Sequence, residues 1–114
     1  MTGTTEITVH FEATHEMPSL PQWHPEHAIH GHQYELGFVF TGPAAARAQE
    51  REAALQRWAD GQLRGQYLNA VIGERPTAEL FAVWAYEQWA DQMPGLSAVR
   101  VSETRDMSAT YRAA

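Results

Sequence analysis

Four of the six histidines fall in one short stretch, His24-Pro25-Glu26-His27-Ala28-Ile29-His30-Gly31-His32, which runs into an apolar strand pattern. Successive side chains of a strand alternate between faces, so His30 and His32 point the same way with Gly31 between them. Two imidazoles on one face, joined by a third from another strand, make a three-nitrogen site for Zn²⁺. Three protein ligands leave the fourth position open, which marks a catalytic rather than a structural zinc. His15 is placed to be the third. It continues the phase of Ile7, Val9, Phe11 and Ala13, which alternate with Thr8, His10, Glu12 and Thr14. A His-x-His pair also opens the cupin pattern, but Glu35 follows too closely for that pattern and alternation puts it on the opposite face.

The elements that must hold these residues can be read in order. Thr5 to His15 is a strand with one buried face, and Met17 to His27, with three prolines and no period, is a loop. A second strand, His30 to Phe40, carries His30, His32, Tyr34, Leu36, Phe38 and Phe40 on one side, and Thr41-Gly42-Pro43 ends it. Ala44 to Ala59 has the composition of a helix, with Asp60-Gly61 as its stop. A second helix begins after Pro76, with Thr77 as N-cap and Glu79 in the first turn. Its Leu80, Phe81, Trp84, Ala85 and Trp89 recur at helical spacing, and Pro94-Gly95 closes it. Leu96 to Thr104 and Met107 to Tyr111 form a closing hairpin around Arg105-Asp106. The order β-β-α-α-β-β predicts an α+β fold: an antiparallel sheet with both helices on one face. Its edges invite closure by further copies of the chain.

Composition narrows the function. The 114 residues form one expected domain, 1–114, with a net charge of −6 and no basic cluster, so nucleic acid is not the expected partner. No apolar run is long enough to span a bilayer and no leader pattern is present, so a cytoplasmic protein with no membrane partner is expected. Cysteine is absent, which removes disulfides, thiolate ligands and a cysteine nucleophile together.

Phe11-Glu12-Ala13-Thr14-His15, His30-Gly31-His32-Gln33-Tyr34, Tyr67-Leu68-Asn69, Pro76-Thr77-Ala78-Glu79, and Val101-Ser102-Glu103-Thr104 with a closing Tyr111 follow one another in order along nearly the whole chain. In that order and spacing the chain resembles the 6-pyruvoyl-tetrahydropterin synthase and 6-carboxytetrahydropterin synthase family. The resemblance implies the tunnelling fold (T-fold), in which subunits join their sheets into a barrel, usually a homohexamer of two stacked trimers. It implies that His15, His30 and His32 bind Zn²⁺, and that Glu103 anchors a pterin ring with Thr77 nearby. Glu103 shares a strand face with Val99 and Val101, where a carboxylate needs partners, and the paired N–H donors of a pterin edge supply them.

The chain also departs from the family. A cysteine base four residues before the His-Gly-His pair is replaced by Glu26, and the family's Asp-His relay is missing from Leu63-Arg64-Gly65-Gln66-Tyr67-Leu68-Asn69. A subgroup that uses a glutamate one residue nearer the histidines, where His27 stands here, is linked to cleavage of the dihydroneopterin side chain. The catalytic expectation therefore rests on Glu26, with His27 as a second proton carrier, since imidazole titrates near neutral pH. Three functions stay open: a zinc-dependent lyase or synthase acting on a reduced pterin such as dihydroneopterin triphosphate, a repurposed zinc enzyme on a non-pterin metabolite, and a non-catalytic pterin-binding oligomer.

Overall fold

Alternation along the first two strands is what the fold is built on. The computed structural model describes residues 3–74, 76–104 and 107–114. Strand β1 (Gly3–His15) pairs antiparallel with β2 (His30–Gly42), β2 with β3 (Leu96–Thr104), and β3 with β4 (Met107–Arg112). The sheet order is β1-β2-β3-β4, so β1 and β4 are its edges. The expected Arg105-Asp106 turn lies outside the described residues.

One sheet face is apolar and covered. Ile7, Val9, Phe11 and Ala13 of β1, Tyr34, Leu36, Phe38 and Phe40 of β2, and Val99 and Val101 of β3 are all buried. Against them pack Leu55 and Ala59 of helix α1 (Glu52–Gln62), Leu68 of the single turn α2 (Leu68–Val71), and Phe81, Ala82 and Ala85 of α3 (Ala78–Trp89). Each large side chain buried here contributes roughly 1.5–3 kcal/mol. The opposite face is polar. Arg100 reaches Glu6 at 3.0 Å and Glu35 at 2.7 Å, and Arg64 holds Glu12 at 2.7 Å.

The helices differ from expectation in their ends. The alanine-rich stretch winds first as a 3₁₀ segment, Pro43–Arg51, and only then as α1. The cause is tertiary: the Thr5 hydroxyl donates to the Ala45 carbonyl at 2.9 Å, and a three-residue period puts Ala45 and Ala48 together against the sheet. Helix α1 runs through Gly61, and the chain turns at Gly65, whose φ of 73° suits glycine and whose N–H donates to the Glu12 carbonyl. The turn α2 was not expected, and α3 ends at Trp89, ahead of Pro94. Thr77 is the N-cap of α3 as expected: its hydroxyl accepts from the Leu80 N–H at 3.2 Å, an interaction worth about 1 kcal/mol. That cap fixes where the chain at Pro76 and Thr77 meets the ends of the strands.

Candidate functional site

Register brings the three histidines together. His15 pairs with His30 across β1 and β2, and His32 lies opposite Ala13, one side-chain repeat further along the same face. The His15 and His30 ring centroids are 4.5 Å apart, His30 and His32 4.7 Å, and His15 and His32 5.0 Å. The loop between the strands delivers a fourth group. Its neck is tied by the Met17 N–H donating to the Glu26 carbonyl at 2.8 Å, and the Glu26 N–H donates to His24 Nδ1 at 3.1 Å. Glu26 Oε2 then lies 3.2 Å from His15 Nε2, 3.7 Å from His32 Nε2, and in close contact with His30 Nε2. The donor atoms of His15, Glu26, His30 and His32 all fall within 4.8 Å of one another.

The hydrogen bonds behind the rings decide what this cluster can hold. His15 Nδ1 faces the Pro76 carbonyl at 3.3 Å and His30 Nδ1 faces the Ala28 carbonyl at 2.7 Å. A carbonyl only accepts, so each Nδ1 carries a proton and each neutral ring offers a bare lone pair at Nε2. Those two Nε2 atoms are 2.8 Å apart, and His32 Nε2 is buried without a hydrogen-bond partner among the described residues. Lone pairs of imidazole and carboxylate thus point at a common centre, where like charges on several rings would repel. A divalent cation satisfies all of them at once, and carbonyls behind ligating histidines are the usual means of fixing their orientation. The donor set of nitrogens and one oxygen suits Zn²⁺.

Charge at the site follows the same geometry. Burial and the adjacent His30 ring hold His15 below the usual imidazole range, against the opposing pull of the Pro76 carbonyl and Glu26. For Glu26 burial alone would raise the carboxyl, but the three imidazoles, His30 foremost, outweigh it and hold it low.

Beside the cluster is a cavity of about 390 Å³, large enough for a small bicyclic ring. His15 and Glu26 line it together with Thr77, Glu79 and Glu103, and Met17, Leu20 and Met107 supply apolar wall. Glu103 is only 6% exposed, and among the described residues no ion pair neutralises it. Burial first, then the nearby Glu26 and Glu79, push its carboxyl up to about 7, against the pull of His30. A larger groove of about 780 Å³ on the polar sheet face also reaches Glu103, but its arginines are already paired with Glu6, Glu12 and Glu35.

Of the residues expected at the site, His15, Glu26, His30 and His32 converge, and Thr77 and Glu103 share the cavity with two of them. His27 stands outside the converging group: its Nδ1 bonds the Leu20 carbonyl at 2.7 Å and so shapes the loop that carries Glu26. By sequence alone Tyr34 is one more member of the apolar face. Its hydroxyl is buried with no partner among the described residues, and burial, Glu103 and Glu26 raise its pKa. Its signal was its phase, two residues after His32 on the same face. Arg64 and Gly65 have structural roles: Arg64 binds Glu12 and Asp60, and Gly65 makes the turn.

A four-stranded antiparallel sheet with its helices on one face defines an α+β protein of the tunnelling-fold class, and two solved structures share that architecture. An uncharacterized protein from Wolinella succinogenes superposes with a TM-score of 0.79 at 13% identity, covering 98% of each chain. The 6-pyruvoyl tetrahydropterin synthase of Caenorhabditis elegans superposes with a TM-score of 0.76 at 18% identity, covering 100% of this chain and 97% of that one. Residues 4–114 match the sequence model of the 6-pyruvoyl tetrahydropterin synthase family, and the chain belongs to that family.

Proposed function

We propose that this chain is a zinc-dependent lyase or synthase that acts on the side chain of a reduced pterin, with dihydroneopterin triphosphate as the first substrate to try. The observation that carries the reading is the convergence of three imidazole Nε2 atoms and a carboxylate beside a cavity holding a buried Glu103 that no ion pair neutralises among the described residues. His15, His30 and His32 would hold the ion, which when bound polarises a side-chain oxygen of the substrate as a Lewis acid. Glu103 accepts the paired N–H donors of the pterin edge, and the chain at Thr77 borders the same cavity. Glu26 takes the proton from the substrate carbon next to the polarised oxygen. His27, held through Leu20, is the second candidate for moving that proton. The zinc-loaded protein should convert dihydroneopterin triphosphate to a product of altered side chain, followed by chromatography. No turnover and no binding of any reduced pterin would remove the reading.

One observation favours a second reading, a zinc enzyme of the same fold working on a non-pterin metabolite. Arg64 is bound to Glu12 and Asp60 and its guanidinium does not release a proton near neutral pH, and Gly65 has no side chain, so neither residue can relay a proton.

The two sheet edges, β1 and β4, support assembly into a closed homo-oligomer, a hexamer by the resemblance. Light scattering at micromolar concentration should give a closed oligomer; a monomer would contradict this part.

A further inference from the structure

We infer that Glu26 is itself a metal ligand in the substrate-free protein, completing a three-histidine, one-carboxylate set through Oε2. This deepens the function proposed above and rests on its assignment of the three histidines to a metal. A general base standing by would keep its oxygens clear of the ring nitrogens. Glu26 instead puts one oxygen, Oε2, against all three Nε2 atoms, 3.2 Å from His15, 3.7 Å from His32 and closest to His30. The hydrogen-bond contact with His15 accounts for only one of these three approaches. With Nδ1 of His15 and His30 directed at the Pro76 and Ala28 carbonyls, the neutral form of each ring presents a lone pair, not a proton, to Glu26. A metal cation at their centre would satisfy the oxygen and nitrogen lone pairs together.

The loop is built to deliver that oxygen. Met17 N–H to Glu26 carbonyl, and Glu26 N–H to His24 Nδ1, fix the backbone on both sides of the residue, and its side chain is largely covered. A closed set also changes how the site works. A carboxylate bound through Oε2 would be a weaker base than a free one, so release of Glu26 from a bound ion would raise its basicity.

The test is zinc affinity by chelator competition on the intact protein, comparing wild type, Glu26→Gln, Glu26→Ala and Glu103→Gln. Folding of each variant is checked by circular dichroism. Loss of an outer-shell partner costs roughly 10–100-fold in metal affinity. Both Glu26 variants should lose more than that, and Glu103→Gln should match wild type. Co²⁺ in place of zinc gives the direct readout: its visible absorption should change in both Glu26 variants. A smaller loss of affinity, or an unchanged Co²⁺ spectrum, overturns the ligand role while leaving the three-histidine site standing. Failure of wild type itself to bind zinc overturns the function proposed above as well, so the two failures are told apart.

Discussion

Replacing His32 with alanine should leave a folded protein that no longer retains zinc. Wild type should carry about one zinc per chain after purification, and His32→Ala essentially none. His32 Nε2 is buried and has no partner among the described residues, so in the metal-free protein this nitrogen is a standing cost of about 1–3 kcal/mol. Removing it relieves that cost and opens a small void, two effects of opposite sign. Metal-free stability should therefore change little. The metal-dependent part should change greatly. Zinc at 100 times its dissociation constant stabilises wild type by about 2.7 kcal/mol, and that increment should vanish in the variant. Elemental analysis and thermal melts with and without added zinc read the two effects separately. A variant that keeps full zinc content and the full thermal shift would show that His32 is an ordinary strand histidine, and the site would have to be redrawn around His15, His30 and Glu26.

How much of this site was legible in the chain depended on periodicity. Alternation placed His15 in phase with Ile7 to Ala13, His30 with His32, and Glu103 with Val99 and Val101, and each lies on the covered face. Alternation does not set register, however. That His15 sits opposite His30, and not one repeat away, follows from strand pairing and from the loop that joins the two strands. The same loop hid the position of Glu26. Residues 16–29 have no period, and their path is set by turn hydrogen bonds such as Leu20 N–H to the Met17 carbonyl, so a carboxylate there could be placed near the histidines but not among them. The 3₁₀ winding of Pro43–Arg51 was hidden for a different reason. Alanine favours an α-helix, and it is the distant Thr5 hydroxyl on the Ala45 carbonyl that accompanies the tighter turn.

Glu103→Gln should give a protein that is more stable above neutral pH and worse at holding a pterin. The carboxyl is buried, and its pKa rises from the ordinary 4.5 to about 7, chiefly through loss of solvent and then through Glu26. Because the folded state holds this proton more tightly than the unfolded chain, this group's contribution to stability is fully present below about pH 4.5 and is lost as pH rises towards 7. Each pH unit of that interval is worth about 1.4 kcal/mol, so the full loss is roughly 3 kcal/mol. Glutamine stays neutral throughout and escapes it. At pH 8 the metal-free variant should exceed wild type by about 1–3 kcal/mol in urea denaturation, with the difference gone near pH 4. Metal-free protein is the right material, because ion binding would otherwise enter the unfolding equilibrium. The ligand should show the opposite preference. A carboxylate accepts two N–H donors with a charge to match, whereas the amide offers one oxygen and an unwanted N–H. Losing a charged hydrogen bond of this kind costs about 1.5–3 kcal/mol, or roughly 10–100-fold in affinity. Calorimetric titration of the zinc-loaded forms with a reduced pterin measures it. A variant no more stable than wild type at pH 8 would mean that Glu103 is solvated in the folded protein. If its pterin affinity also matched wild type, the ring would have to be held elsewhere in the cavity, with Glu79 the next carboxylate along its wall.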